Sequence, residues 1–210
     1  MSDNNRLLLA VIIGGARQGR FAPTVANWFA GQVRRRDDMT VDVIDLAEAR
    51  LPDILTEKPA PEAAAITPRL AGADAFVVVT PEYNHSFPAP LKNAIDWHFK
   101  EWQAKPVGFV SYGGMAGGLR AVEQLRQVFA ELHAVTVRDT VSFHGVWTQF
   151  DSEGRPKDPE RYERASQYML DQLAWWGHAL REARTQRPYV TRYRQDRLSA
   201  SARSAPSSGL

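Results

Sequence analysis

Apolar runs and amphipathic stretches alternate five times along the chain. Short apolar, β-branched runs predict five strands, at residues 7–13, 40–46, 75–79, 105–111 and 134–137. Apolar residues at helical spacing predict five intervening or closing helices, at residues 24–33, 62–72, 91–97, 119–132 and 159–184. The run at 75–79 carries no polar side chain, which is typical of a parallel strand buried on both faces. The alternation predicts a doubly wound α/β fold with a five-stranded parallel sheet in the order 2-1-3-4-5.

Several connecting segments give weaker signals. Residues 40–46 alternate between apolar and polar side chains, so we expect this strand at an edge of the sheet. Residues 48–61 are rich in Pro, Ala and Glu and predict a long loop. Gly72 suits the C-terminal cap of the second helix. Residues 140–150 are compatible with either a loop or a continuation of the fifth strand.

Charge separates the chain into a body and a tail. Residues 181–210 hold seven Arg against one Glu and one Asp, whereas the whole chain carries a formal net charge of +2. The body is therefore mildly acidic and gives no reason to expect a nucleic-acid partner. We divide the chain into one domain at residues 1–184 and an Arg- and Ser-rich tail at 185–210, with disorder expected beyond Tyr193.

The 210-residue chain contains no cysteine. This excludes disulfides, thiolate catalysis and Cys-ligated metal sites, and it is compatible with the reducing cytoplasm, where we expect the protein. No apolar run approaches the roughly 18 to 20 residues of a membrane span, so we expect no membrane association.

Three loops should meet at the carboxyl edge of the sheet, because the winding reverses between strands one and three. The first, residues 14–23, combines glycines with Arg17 and Arg20 ahead of a helix, a composition that suits a phosphate group. It has neither the P-loop sequence nor the Gly-x-Gly-x-x-Gly spacing of dinucleotide sites. The alternative is a glycine-rich turn with two solvated arginines.

The second and third loops supply a candidate floor for a planar ligand. Residues 81–86 are stiffened by proline and offer the ring of Tyr83 and the donor–acceptor pair of Asn84. For His85 we favour a structural hydrogen bond over a catalytic base. Residues 111–118 hold four glycines in six positions, which lets backbone approach a ligand closely; the alternative is a flexible connector.

Together these segments resemble the NADPH-dependent FMN reductase family, a flavodoxin-like group that includes quinone, chromate and azo-dye reductases. The most specific match is residues 81–97, from Pro-Glu-Tyr-Asn to Asp-Trp, and the glycine loops at 14–20 and 113–120 add to it. The resemblance covers roughly residues 7–180 and leaves out the tail. It implies a flavodoxin-like fold, non-covalently bound FMN, and NADPH or NADH as the reductant.

The resemblance also implies which residues border the cofactor. Those near the phosphate would be Gly15, Ala16, Arg17, Arg20 and Phe21. Those near the isoalloxazine would be Pro81, Glu82, Tyr83, Asn84, His85, Ser111, Tyr112, Gly113 and Gly114. The family commonly has Ser where Gly15 stands, so a hydroxyl contact to the phosphate would be missing unless Arg20 or Thr24 compensates.

The implied reaction is hydride transfer from NAD(P)H to bound FMN, followed by electron transfer to free flavin, a quinone or another small acceptor. The cofactor supplies this chemistry, so we expect neither a catalytic side chain nor a metal. The resemblance further implies a homodimer or homotetramer. The alternative is an electron-transfer flavoprotein without direct NAD(P)H activity; such carriers tend to be strongly acidic, and this body is not.

Overall fold

Five strands form one parallel sheet in the computed structural model, which describes residues 5–189. They are β1 (Leu7–Ile13), β2 (Met39–Asp45), β3 (Ala75–Pro81), β4 (Pro106–Gly113) and β5 (Val135–His144). Their spatial order is β2-β1-β3-β4-β5, and every neighbouring pair is parallel. The predicted doubly wound sheet and the edge position of the second strand are confirmed.

Six helices cover the two faces of this sheet. They are α1 (Ala22–Arg34), α2 (Leu46–Ala49), α3 (Pro61–Gly72), α4 (Ala89–Trp97), α5 (Leu119–Glu131) and α6 (Pro159–Gln186). Residues of α1 and α6 pack on the face that carries Val11 and Val77. Residues of α3, α4 and α5 pack on the face that carries Ile12 and Val78. Within residues 5–189, no helix combines the length and the apolar character that a membrane span requires.

The fifth strand is longer than the predicted 134–137, because residues 140–144 continue it. Arg138 and Asp139 interrupt the apolar pattern, but β5 lies at the edge of the sheet, where polar side chains can reach water or a neighbouring helix. Asp139 shows this, since its carboxylate accepts a hydrogen bond from the side-chain amide of Gln172 in α6, and its backbone N–H donates to the same side chain at 3.2 Å. The loop that follows β5 therefore starts at the carboxyl edge of the sheet.

The predicted loop at 48–61 is confirmed for residues 50–60 and is wrong only at its ends. The short helix α2 occupies its start and is capped by the Asp45 carboxylate, which accepts from the Ala47 N–H, and α3 begins at Pro61.

The prediction for Gly72 is wrong. Gly72 does not cap α3 but lies in its last turn, and the cap residue Ala73 is extended, with φ −67°. An extended cap residue needs no glycine.

The last helix runs to Gln186, two residues past the proposed domain boundary at 184. Residues 190–210, including the segment beyond Tyr193 for which the sequence predicts disorder, lie outside the described residues.

Lys105 directly precedes β4 and is buried. It lies at the end of the sheet where the strands begin, opposite the candidate site at their carboxyl ends. Its ammonium donates to the carbonyls of Leu70 and Ala71 at 2.9 and 2.8 Å, at the end of α3. Burial, helped by nearby Arg184, lowers the pKa of Lys105 to about 8. The native state therefore loses this proton at a lower pH than the unfolded chain does.

Lys105 is expected to make the protein more stable as the pH rises from 8 to 10. Over this range the unfolded chain keeps the lysine proton and the native state releases it, so the free energy of unfolding should rise by about 1 to 2 kcal/mol. Urea unfolding at pH 8, 9 and 10 measures the rise. Lys105→Met should flatten it; an equal rise in the variant would show that another group is responsible.

Candidate active site at the carboxyl edge of the sheet

A cavity of about 180 Å³ opens where the loops after β1, β3, β4 and β5 meet. Nine predicted site residues line it: Arg17, Arg20, Phe21, Pro81, Glu82, Tyr83, Tyr112, Gly113 and Gly114. Gly19, Val146 and Trp147 complete the wall. Three loops that are far apart in sequence therefore converge as the strand order requires.

The two arginines of the first loop have different surroundings. Arg20 makes a two-pronged ion pair with Asp45, at 2.5 and 2.7 Å, and also donates to the Gly15 carbonyl at 2.9 Å. The hydrogen bond to Asp45 raises the pKa of Arg20. Arg17 is exposed, and its guanidinium makes no hydrogen bond or ion pair within residues 5–189, although its backbone carbonyl accepts from the Arg20 N–H at 3.2 Å. Arg20 thus ties the loop to the end of β2, and Arg17 is the cation available to an anionic ligand.

Gly15 lies against the phenol of Tyr112. A Cβ at position 15 would lie 2.8 Å from Tyr112 Oη and 3.2 Å from Ala22 Cβ. A serine could not occupy this position unless Tyr112 moved. Burial, reinforced by nearby Tyr83, raises the pKa of Tyr112, so its hydroxyl stays protonated at neutral pH and can donate a hydrogen bond at the cavity wall.

The second loop closes as a tight turn. Tyr83 and Ser86 exchange two backbone hydrogen bonds of 2.8 and 3.0 Å, and the residues between them, Asn84 and His85, have φ of 50° and 73°. Positive φ at both central positions is the pattern of a type I′ turn. Gln124 of α5 holds the turn by donating to the His85 carbonyl at 2.9 Å. The turn therefore presents Tyr83 to the cavity and leaves its tip exposed.

Glu82 contributes a carboxylate with one oxygen unused. Its Oε1 accepts from Arg120 of α5 at 2.8 Å, and the side chain is only 10% exposed. Its Oε2 is buried without a hydrogen-bond partner in the described part of the chain. A buried oxygen of this kind is costly unless it is paired, so a ligand N–H or O–H at the cavity wall would have an acceptor here.

The third loop is glycine-rich because it folds tightly onto the sheet. A Cβ at Gly117 would lie 2.5 Å from Ser142 Oγ, and one at Gly118 would lie 2.7 Å from Ser111 Cβ. Both glycines have positive φ, at 58° and 84°. Ser111 and Ser142 each donate to the Gly117 carbonyl, at 2.8 and 2.9 Å. The loop is therefore fixed by packing rather than being a flexible connector.

A model of the family described as NADPH-dependent FMN reductase matches residues 7–148 of the chain. The chain belongs to this family. The match covers the wall residues of all four loops of the cavity and ends just after Trp147.

Relatives in the family are named as reductases of flavin or quinone. An NAD(P)H-dependent FMN reductase of Schizosaccharomyces pombe is 38% identical over 132 residues, which are 57% of this chain and 64% of that protein. A 2-hydroxy-1,4-benzoquinone reductase of Burkholderia sp. is 30% identical over 181 residues, 81% of this chain and 96% of that protein. The chain thus spans slightly less than two thirds of the yeast relative and nearly all of the bacterial one.

Solved structures share the flavodoxin-like fold. The flavoenzyme NAD(P)H:(acceptor) oxidoreductase FerB of Paracoccus denitrificans has a TM-score of 0.66 and 20% identity, covering 82% of this chain and 98% of that one. An FMN complex of general stress protein 14 from Treponema denticola has a TM-score of 0.51 and 15% identity, covering 81% and 99%. At these identities the likeness concerns the fold alone.

The cavity fits the cofactor of the family. It offers an unpaired guanidinium in the first loop, which suits a phosphate, and the rings of Tyr83 and Tyr112, which suit a flat ring. The unused oxygen of Glu82 suits an N–H donor. The cavity is smaller than the roughly 300 Å³ at which enclosing ligand pockets begin, so a flavin held here would stay partly open to solvent.

Five predicted residues do not line the cavity. Gly15 is covered by Tyr112, and Ala16 borders a separate groove beside α2. Asn84 and His85 form the exposed turn tip. Ser111 is fully buried and anchors the third loop.

The prediction missed three wall residues, Gly19, Val146 and Trp147, of which Trp147 has the largest side chain. Trp147 lies in a 3-10 turn, Val146–Thr148, immediately after β5. The signal was available: a fifth strand extended to His144 would have placed the next loop at the same sheet edge as the other three. No group of three or more His, Cys, Asp or Glu side chains within residues 5–189 is arranged to hold a metal ion.

Proposed function

We propose that the chain is a flavin-dependent oxidoreductase that carries electrons from NADPH or NADH to a small acceptor, such as a quinone or free flavin. The composition of the cavity supports this most strongly. Its wall contains the unpaired guanidinium of Arg17 together with the rings of Tyr83 and Tyr112. Such a site suits a phosphorylated, planar ligand. Family membership and the names of the relatives point to FMN.

The residues that would hold FMN follow from their contacts. Arg17 would donate to the phosphate, helped by the hydroxyl of Tyr112. Tyr83 would pack on the ring system, and Glu82 would accept a hydrogen bond from a ring N–H through its unused oxygen. Arg20 would keep the first loop in position through Asp45.

Bound FMN would supply the redox chemistry, since it accepts a hydride from a nicotinamide and returns two electrons to a second acceptor. For a quinone, the overall reaction consumes one NADPH and one proton and yields the hydroquinone. We assign no protein acid or base to hydride transfer. The protein would bind and orient the cofactor and the two substrates, with residues of the loops after β3 and β4 lining the site.

An initial-rate study tests this proposal. The FMN-loaded protein should oxidise NADPH in the presence of 1,4-naphthoquinone, with parallel double-reciprocal lines, because both substrates would use the same open side of the ring in turn. Intersecting lines would contradict the shared face. A protein that keeps FMN but leaves NADPH unoxidised would instead be an electron-transfer flavoprotein that needs a separate reductase.

Location and assembly are further parts of the proposal. The cysteine-free composition supports a cytoplasmic protein. The family resemblance supports a homodimer or homotetramer, and the mildly acidic body supports no nucleic-acid partner. Sedimentation velocity of the full chain measures the assembly, and a purely monomeric profile would contradict it.

A further inference from the structure

Trp147 is the most unusual residue of the cavity rim. Its side chain is 71% exposed, whereas the preceding residue, Val146, is 1% exposed. An indole is among the largest apolar surfaces a side chain offers, and leaving it in water forgoes the free energy of burial. Because Trp147 lies at the rim of the candidate active site, its exposed indole is available to a ligand there.

The backbone that carries Trp147 is firmly held. The Gly145 N–H donates to the Gly114 carbonyl at 2.9 Å, which joins this turn to the third loop. The Thr148 backbone N–H and hydroxyl both donate to the Gly145 carbonyl at 2.9 Å. Buried Val146 anchors the turn in the core. The indole is thus presented from a fixed base, so little backbone ordering would oppose ligand binding.

The indole lies beside the third loop at the cavity wall. A Cβ at Gly114 would lie 3.9 Å from Trp147 Cζ3, which is an ordinary van der Waals separation, so the backbone of Gly114 lies next to the ring. Tyr83 lines the same cavity from the second loop. Aromatic side chains from two different loops therefore border one opening.

The charges of the cavity indicate which ligand suits its mouth. Of the charged residues in its wall, Arg20 is paired with Asp45. Glu82 is paired with Arg120. Arg17 would offset part of the charge of the FMN phosphate, which is about −1.5 to −2 at pH 7. With the cofactor bound, the charge left over in the wall would be negative, which disfavours an anionic acceptor and suits an uncharged planar molecule.

We propose that Trp147 is a stacking wall for an uncharged aromatic electron acceptor of the quinone class. This rests on the proposed function, since it assumes bound FMN behind the acceptor. Stacking would hold the acceptor over the cavity mouth and set which acceptors bind well. The role is one of binding and specificity.

Equilibrium binding of 1,4-naphthoquinone to the oxidised FMN-loaded protein tests the proposal, because no electrons are then available to reduce the quinone. The absence of cysteine removes thiol addition to the quinone as a complication. Trp147→Ala should raise the quinone Kd by about 3- to 10-fold, the usual size of one aromatic contact, and Trp147→Phe should restore most of the affinity. The Kd of FMN should stay the same.

Trp175→Ala is the matched control. Trp175 is 66% exposed on α6, packs edge-on against Trp176, and does not line the cavity, so its loss should leave the quinone Kd unchanged. In turnover, Trp147→Ala should raise KM for the quinone more than it lowers kcat.

Three results would overturn the proposal: a quinone Kd unchanged by Trp147→Ala, an equal loss in Trp175→Ala, or a loss confined to FMN affinity. The last would make Trp147 part of the cofactor site instead. Failure of the proposed function is seen separately, as wild-type protein that holds FMN but does not oxidise NADPH.

Discussion

Gly118→Ala is expected to lower the free energy of unfolding by about 2 to 5 kcal/mol. Two effects add. A non-glycine residue at φ +84° costs about 1 to 2 kcal/mol, and a Cβ placed 2.7 Å from Ser111 Cβ and 2.9 Å from the Tyr112 backbone nitrogen forces the packed loop apart at a cost of about 1 to 3 kcal/mol. Urea unfolding measures the change through the midpoint at constant m-value.

Gly19→Ala separates the two effects. Gly19 also has positive φ, +65°, but a Cβ there would meet no atom within 4 Å. This variant should therefore lose only the conformational part, about 1 to 2 kcal/mol. If Gly118→Ala costs no more than Gly19→Ala, the third loop is looser than its contacts indicate, and the candidate site is less well defined.

Arg17→Ala is expected to weaken FMN binding by about 1.5 to 3 kcal/mol, which is about 10- to 150-fold in Kd. The reason is that Arg17 lines the cavity and its guanidinium has no partner in the described chain. The guanidinium of Arg20, in contrast, already donates to Asp45 and to the Gly15 carbonyl. Flavin fluorescence titration at fixed salt concentration gives the Kd of FMN. A higher salt concentration should reduce the difference in this Kd between the variant and the wild type, because salt screens the charge of Arg17.

Riboflavin and a second arginine variant make this test specific. Riboflavin lacks the phosphate, so Arg17→Ala should leave its Kd unchanged. Arg164→Ala, at an exposed arginine of α6 remote from the cavity lining, should change neither Kd. Equal losses for FMN and riboflavin would mean that Arg17 does not act on the phosphate.

Much of the fold can be predicted from the sequences of the buried strands. Residues 7–13 and 75–79 are almost uninterrupted apolar runs, because they lie in the middle of the sheet with helices on both faces. The pattern fails in the edge strand β5, where Arg138 and Asp139 lie at a shift of register between the Thr136–Val107 and Thr140–Phe109 pairs. The prediction that Gly72 caps α3 is wrong for a different reason. The chain leaves α3 through Ala73 in an extended conformation, and the local sequence does not determine that conformation.

The location of the site could be predicted from the sequence better than the contacts within it. Loop composition located the carboxyl edge, and the family resemblance implied nine of the lining residues. It could not reveal that Arg20 is committed to Asp45, 25 residues away, or that Tyr112 blocks a side chain at Gly15, since these depend on tertiary packing. Trp147 was missed because its loop follows a strand whose true end lies seven residues beyond the predicted one.

The most direct test of the account is the visible spectrum of the full chain after saturation with FMN and desalting, before and after NADPH is added without oxygen. We expect the flavin band to stay with the protein and to bleach rapidly with NADPH. A band lost on desalting would contradict the cofactor site. A band that stays but does not bleach would contradict the open ring face as a nicotinamide site and leave the protein an electron carrier.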